Sequence, residues 1–224
     1  MPIESEEIDR PLRADLHIHT EYSMDSASKI EDIISTCAKK GINCLSVTDH
    51  GAIEGAVKMQ KIAPFKVIIS EEILTRNGEI IGMFLKEKIS GGLSPQDTVS
   101  LIKEQGGLVY IPHPFDRFRS PLDEEALEEI IGSVDIIEVY NARIILLRDI
   151  SRAQALAEKY NLPMGAGSDA HTLGEIGKSW VEMPDFDGPQ GFLKAIRLAK
   201  IHGHRSSPFV HISSSLQKKR KHDT

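Results

Sequence analysis

The stretch "RADLHIHTEYSMDS", residues 13–26, places His17 and His19 two positions apart in a short apolar run. In an extended strand, residues i and i+2 point to one face, so both imidazoles share a side and Leu16 and Ile18 pack on the other. Asp25 follows in a loop of small polar residues, with Ser23, Met24 and Ser26 around it. A lone pair of imidazoles can be satisfied by ordinary hydrogen bonds. The meaning of this stretch therefore depends on what the rest of the chain brings to the same strand ends.

The chain has 224 residues, 40% hydrophobic and 27% charged, the profile of an ordinary globular protein. A formal charge of −6 argues against a surface that coats nucleic acid. No apolar run approaches the roughly 20 residues of a membrane span. The opening "MPIESEEIDR" is acidic and has no apolar leader core, so a cytoplasmic protein is expected. Cys37 falls in a helical pattern and Cys44 in a strand-like one. Neither has zinc-ribbon spacing, and both read as small buried apolar side chains.

Outward from residues 13–26, β-like runs alternate with amphipathic stretches. "ADLHIHT" reads as a strand, followed by the helix "SKIEDIISTCAKKG" with Ser28 as its N-cap and Gly41 as its stop. "INCLSVTDH" and "AIEGAVKMQKIA" form the next pair, and "FKVIISEEIL" and "GEIIGMFLK" read as a hairpin around Asn77-Gly78. The helix "SPQDTVSLIKEQGG" leads into "LVYIPH", "PLDEEALEEIIG" into "VDIIEVYN", and "RIILLRDISRAQALAEKYN" into "LPMGAGSDAH". "PQGFLKAIRLAK" is the last helix. About seven strand–helix units predict a parallel α/β barrel in one domain, residues 12–212. Residues 1–11 form an N-terminal extension, and 213–224 a basic tail expected to be disordered. The KKRK run in that tail has the composition of a nuclear-import or nucleic-acid patch, but a solvated tail is the simpler reading.

Histidines and unexpected carboxylates fall where strands end. His17 and His19 close the first strand, Asp49 and His50 the second, and Glu71 and Glu72 interrupt the third. His113 ends the run after the hairpin, Glu138 lies in "IIEVYN", and Asp169 and His171 end "GAGSDAH". In an α/β barrel these ends form the rim that carries the active site. A ring of desolvated polar groups has to be satisfied, and imidazole with carboxylate suits Zn²⁺, Mn²⁺ or Fe²⁺.

Taken in order, "DLHIHTEYSMDS", "VTDH", "EEI", "IPHP", "IEVYN" and "GSDAH" resemble the motifs of the polymerase-and-histidinol-phosphatase (PHP) phosphoesterases, compact single-domain type. The resemblance implies a distorted (β/α)7 barrel, two or three divalent metal ions and hydrolysis of phosphate esters. It implies that His17, His19, Glu72 and Asp169 hold one metal, with Glu72 bridging to a second that His113 also serves. Asp25, His50 and His171 match the ligands of a third. Asp25, His50, Glu72, Asp169 and His171 are thus the expected catalytic set. Glu71 points the other way and reads as a surface or hairpin charge, Asp15 as structural, and Asp49 as orienting a ligand imidazole. Glu138 reads either as a ligand or as such an orienting group. One position departs from the family pattern: Glu79 stands where a ligating histidine is usual. It is either a ligand itself or a solvent-facing charge beside the hairpin turn.

No GxSxG elbow and no active-site cysteine motif occurs, so a metal-activated water is the expected nucleophile. Arg117, Arg119 and Arg143 follow strand ends and are candidates for binding phosphate. The expected activity is hydrolysis of a small phosphomonoester, since the chain is acidic and only 5% aromatic. The alternatives are a nuclease on short nucleic acids and a non-catalytic PHP-like subunit of an RNA-processing complex. An amidohydrolase is disfavoured, since neither an eighth strand nor a bridging lysine is legible.

Overall fold

A computed structural model describes residues 11–206. The N-terminal extension before Pro11, and the basic tail with its KKRK run, lie outside the described residues. Nine strands and six α-helices alternate as β1 (Leu12–Ile18), α1 (Ile30–Lys40), β2 (Cys44–Val47), α2 (Glu54–Ile62), β3 (Lys66–Thr75), β4 (Gly78–Met83), α3 (Pro95–Glu104), β5 (Leu108–Ile111), α4 (Glu124–Ile130), β6 (Ile136–Asn141), α5 (Leu147–Lys159), β7 (Met164–Gly167), β8 (Ser179–Met183), α6 (Gly188–Ile196) and β9 (Lys200–Gly203).

One sheet runs β7-β6-β5-β4-β3-β2-β1-β8-β9. β1 pairs with β2, β2 with β3, β5 with β6 and β6 with β7 in parallel, while β4 is antiparallel to both neighbours. The sheet curls until its start meets its seventh strand. Asp169 N–H donates to the His17 carbonyl at 2.7 Å, and His19 N–H to the Ala170 carbonyl at 2.9 Å. The result is a nearly closed, distorted (β/α)7 barrel. β8 pairs antiparallel with the opening residues of β1, from Leu12 to Ala14, while the far end of β1 completes the ring.

Local signals explain the elements. α1 buries Ile30, Ile33 and Cys37 on one stripe and stops at Gly41, whose φ of 72° suits a residue without Cβ. Ser94 caps α3 by accepting from Asp97 N–H, and Pro95 fills the first turn. The hairpin forms one residue earlier than the Asn77-Gly78 dipeptide predicts: Thr75 pairs with Gly78, so Arg76 and Asn77 make the two-residue turn and Gly78, at φ 124°, opens β4. Ser28 corrects its reading: Lys29 holds the cap position of α1 without a side-chain bond, and the Ser28 hydroxyl instead donates to the His171 carbonyl at 3.1 Å. β8 and β9 were not foreseen. In "SWVEM" the half-buried residues are Trp180 and Glu182, so an apolar ring on the open face masks the alternation. Both strands lie outside the ring and supply no barrel stave.

Glu71 does face away from Glu72, but it is fully buried, which corrects the expected surface charge. Its carboxylate accepts the Ile89 N–H at 2.8 Å, fixing the loop after β4. Burial pushes this carboxyl up from its ordinary 4.5 to about 7. The folded chain therefore holds a proton that the unfolded chain has released, and between about pH 4.5 and 7 this group makes stability fall as pH rises. Glu71→Gln removes that contribution: urea midpoints measured at intervals over this range should slope less steeply than wild type, with the variant gaining most near pH 7.

Candidate metal centre

The rim formed by the C-terminal ends of the parallel strands gathers five imidazoles and four carboxylates from seven places in the sequence. β1 delivers His17 and, just past its end, His19; the loop that follows brings Asp25, the segment after β2 His50, β3 Glu72, β4 Glu79, the segment after β5 His113, and the segment after β7 Asp169 and His171. Glycines make the close approach possible. A Cβ on Gly167 would lie 2.3 Å from the His17 Cβ, and one on Gly165 2.5 Å from the Tyr110 ring. His113 and Asp169 hold left-handed backbone, with φ of 28° and 52°. Such conformations cost energy and persist where surrounding structure enforces them. Here they turn the chain at the strand ends that present both side chains.

Glu72 is the hub. Its Oε2 lies 3.3 Å from His17 Nε2, 3.3 Å from His19 Nε2 and 3.4 Å from His50 Nδ1, while Oε1 lies 3.2 Å from His113 Nε2. Asp25 Oδ2 reaches His171 Nε2 at 3.0 Å and His50 Nε2 at 3.3 Å. Asp169 Oδ1 lies 3.4 Å from both His19 Nε2 and His171 Nδ1. Glu79 Oε2 stands 3.7 Å from His113 Nε2 and Oε1 3.9 Å from His50 Nδ1, and the residue is buried. It therefore faces the cluster rather than solvent.

Four overlapping groups have donor atoms within 4.8 Å of one another: His19–Asp25–His50–His171, His17–His113–Asp169, His17–His19–Glu72 and His50–Glu72–Glu79. His19 thus groups with Asp25, His50 and His171 as well as with His17 and Glu72, and Asp169 groups with His17 and His113. The donor set fits divalent cations. So does the bonding: His19 Nε2 and Asp169 Oδ1 are buried, face each other, and make no hydrogen bond. A cation between them would satisfy both.

Electrostatics point the same way. Burial works against every charge in the site, yet His17 and His50 hold Glu72 well below the usual carboxylate range. Against its own burial, His17 is lifted to about 10 by Glu72 and Glu138. Burial, and then the charges of His171 and His50, push His19 well down, leaving a neutral imidazole with a lone pair to donate. Burial and then the charge on Glu72 raise Glu79. His17 and His50 are thus the imidazoles that hold protons beside Glu72, while burial pushes His171 down to about 3.

Around this cluster stand the residues that aim it. Glu138 accepts from His113 N–H at 2.8 Å, Asn141 Nδ2 at 3.0 Å and the Tyr110 hydroxyl at 3.1 Å, and faces His17 Nδ1 at 3.1 Å. These partners tie it to the His17 ring and the His113 backbone, and it falls in none of the four groups above. Asp15 is structural as expected, accepting backbone N–H groups of Ser168 and Gly177. Asp49 corrects its reading: it binds Thr20 through the backbone N–H and hydroxyl, at 2.6 and 2.7 Å, and among the described residues no hydrogen bond joins its carboxylate to an imidazole.

Of the three arginines, Arg119 reaches the site, its guanidinium on Asp169. Arg143 is closed off from solvent, its Nη1 on His171 Nδ1 and its Nε 3.4 Å from Glu175, so it positions His171 instead of meeting substrate. Arg117 is exposed, stacked 5.2 Å from the Phe118 ring. Glu175, which anchors His171 N–H and both donors of Thr172, was missed. The Thr172-x-x-Glu175 spacing was its one signal.

The chain and its barrel have counterparts. The sequence model of the family described as PHP_C, PHP-associated, matches residues 148–201. The uncharacterized protein MJ0417 of Methanocaldococcus jannaschii is 34% identical over 198 residues, covering 84% of this chain and 80% of that one. A protein from Bifidobacterium adolescentis assigned as a metal-dependent phosphoesterase superposes with a TM-score of 0.60 at 15% identity, over 72% of this chain and 88% of that one. The lesion-specific endonuclease PfuEndoQ from Pyrococcus furiosus gives 0.65 at 17% identity, over 85% of this chain and 57% of that one. Residues 148–201 thus match the PHP-associated family, and the barrel is a fold shared with these solved structures.

If Glu79 takes part in holding cations, removing its charge has a direct readout. Protein purified without chelator should show a lower metal-to-protein ratio in Glu79→Gln, and a ratio restored towards wild type in Glu79→His, measured by elemental analysis.

Proposed function

We propose that the protein hydrolyses phosphate esters at this cluster and that its substrate is a small phosphomonoester. The observation carrying the reading is Glu72, one carboxylate facing four imidazoles at the barrel rim. The residues proposed to hold two or three divalent ions are His17, His19, Asp25, His50, Glu72, Glu79, His113, Asp169 and His171. Such ions screen phosphoryl oxygens and lower the pKa of a bound water. Manganese, iron and zinc all suit these donors.

The chain's own side chains then orient and exclude. Glu138 fixes the His17 ring through Nδ1, and Arg143 with Glu175 fixes His171. Arg119, at the rim on Asp169, is the guanidinium placed to meet a phosphoryl group. Ser23 donates to the Asp25 carboxylate at 2.8 Å, accepts from His50 N–H and lies 3.4 Å from His19 Nδ1, and so steadies these three residues. In the overall reaction water adds to phosphorus and the bond to the alcohol oxygen breaks. That oxygen leaves with a proton, and inorganic phosphate is the second product.

The cavity over the cluster measures about 230 Å³, below the roughly 300–1,000 Å³ of pockets for drug-sized ligands. That favours a compact substrate. The fold likeness to PfuEndoQ favours a second reading, cleavage of nucleic acid. Among the described residues no helix is long and apolar enough to cross a membrane.

Phosphate release from a panel of small phosphomonoesters with added Mn²⁺ should exceed degradation of labelled oligonucleotides. Chelation followed by gel filtration should abolish it, and returning Mn²⁺ should restore it. Turnover of the oligonucleotides alone would overturn the phosphomonoester reading in favour of the nuclease.

A further inference from the structure

The wall of the cavity over the cluster is split by chemistry. One side is His50, Glu72 and Glu79; the other includes Met24 and Leu74. Leu74 is the exposed residue of an otherwise buried or half-buried strand, at 54% exposure. Strand alternation puts it on the same face as Glu72, one step nearer the rim, and it pairs across the hairpin with Glu79. Met24, next to Asp25, is 42% exposed in the loop after β1.

A single exposed leucine is unremarkable. Two large apolar side chains left half in water on the wall of one polar cavity are a different matter. Each forgoes burial that a serine or threonine would not need there. The wall opposite the charged residues offers little to bind a polyol: Ser120 supplies the one hydroxyl on it. Sugar-like substrates demand hydrogen-bond partners for each buried hydroxyl, and the cost of leaving one unpaired is severe.

We infer that the alcohol of the substrate carries a compact apolar body, aryl or branched alkyl, which packs on Met24 and Leu74 while its phosphate meets the cluster. The inference rests on the phosphomonoester reading and narrows it. Binding covers the two side chains and excludes water from the reacting end, so the apolar body contributes affinity at the mouth of the site. Specificity then separates by distance from the cluster: Arg119 and the ions take the phosphate, Met24 and Leu74 take the rest.

Benzyl phosphate and glycerol phosphate, both esters of primary alcohols, test this with the full-length protein and added Mn²⁺. Benzyl phosphate should show the higher kcat/KM by about tenfold or more. Met24→Ser and Leu74→Ser should each raise KM for benzyl phosphate by about tenfold and shrink the preference, with metal content as in wild type; Leu74→Met should restore it. Equal or better turnover of glycerol phosphate, or a preference untouched by both serine variants, would overturn the inference while leaving the phosphatase reading standing. Activity confined to oligonucleotides would overturn both.

Discussion

The carboxylate of Glu72 sets the terms for the rest of the molecule. Moving a charged carboxylate into a barrel interior costs several kcal/mol unless partners surround it. Four imidazoles do so, and they arrive from β1 and the segments that follow β1, β2 and β5. Those partners carry the same desolvation problem, which Asp25, Asp169 and Glu138 answer in turn. The cluster is coherent only as a whole. Removing one charge strands another, and the geometry is anchored on β1, β3 and β4 and on the short segments that leave the strand ends.

The barrel supplies that rigidity in an economical way. β1 is shared: its first residues pair with β8, and its last pair with the segment after β7, which carries Asp169 and His171. The hydrogen bonds that close the ring are therefore the ones that bring His17 and His19 beside Asp169. Closure and site assembly are a single event. Gly165 and Gly167 keep the seventh strand thin enough for Tyr110 and His17 to fit against it. Tyr110 in turn supports Glu138, which holds His17.

Arg143 shows how a site can use charge without presenting it. Burial lowers this guanidinium from its ordinary 12.5 to about 10, and it is still a cation at neutral pH. With Glu175 it forms a buried pair behind His171. The pair is shielded from solvent, so it sets the orientation of a ligand candidate with little loss to salt screening.

Much of this was legible in the order of residues. Strand–helix alternation, the Gly41 stop, the Ser94-Pro95 helix start and the presence of a hairpin turn beside Gly78 are local, and local chemistry determines them. The histidines and carboxylates at strand ends were visible because an apolar strand that ends in charge is conspicuous in one dimension. What the chain could not disclose by itself was the third partner in each contact. Whether Asp49 meets an imidazole or Thr20, whether Glu71 is exposed or clamps Ile89, and whether Ser28 caps its helix or holds His171 depend on segments far away in sequence. So does Arg143, which looks like a rim cation until the barrel closes over it. Periodicity fixes which face a side chain takes, and only packing between distant strands decides what stands opposite that face.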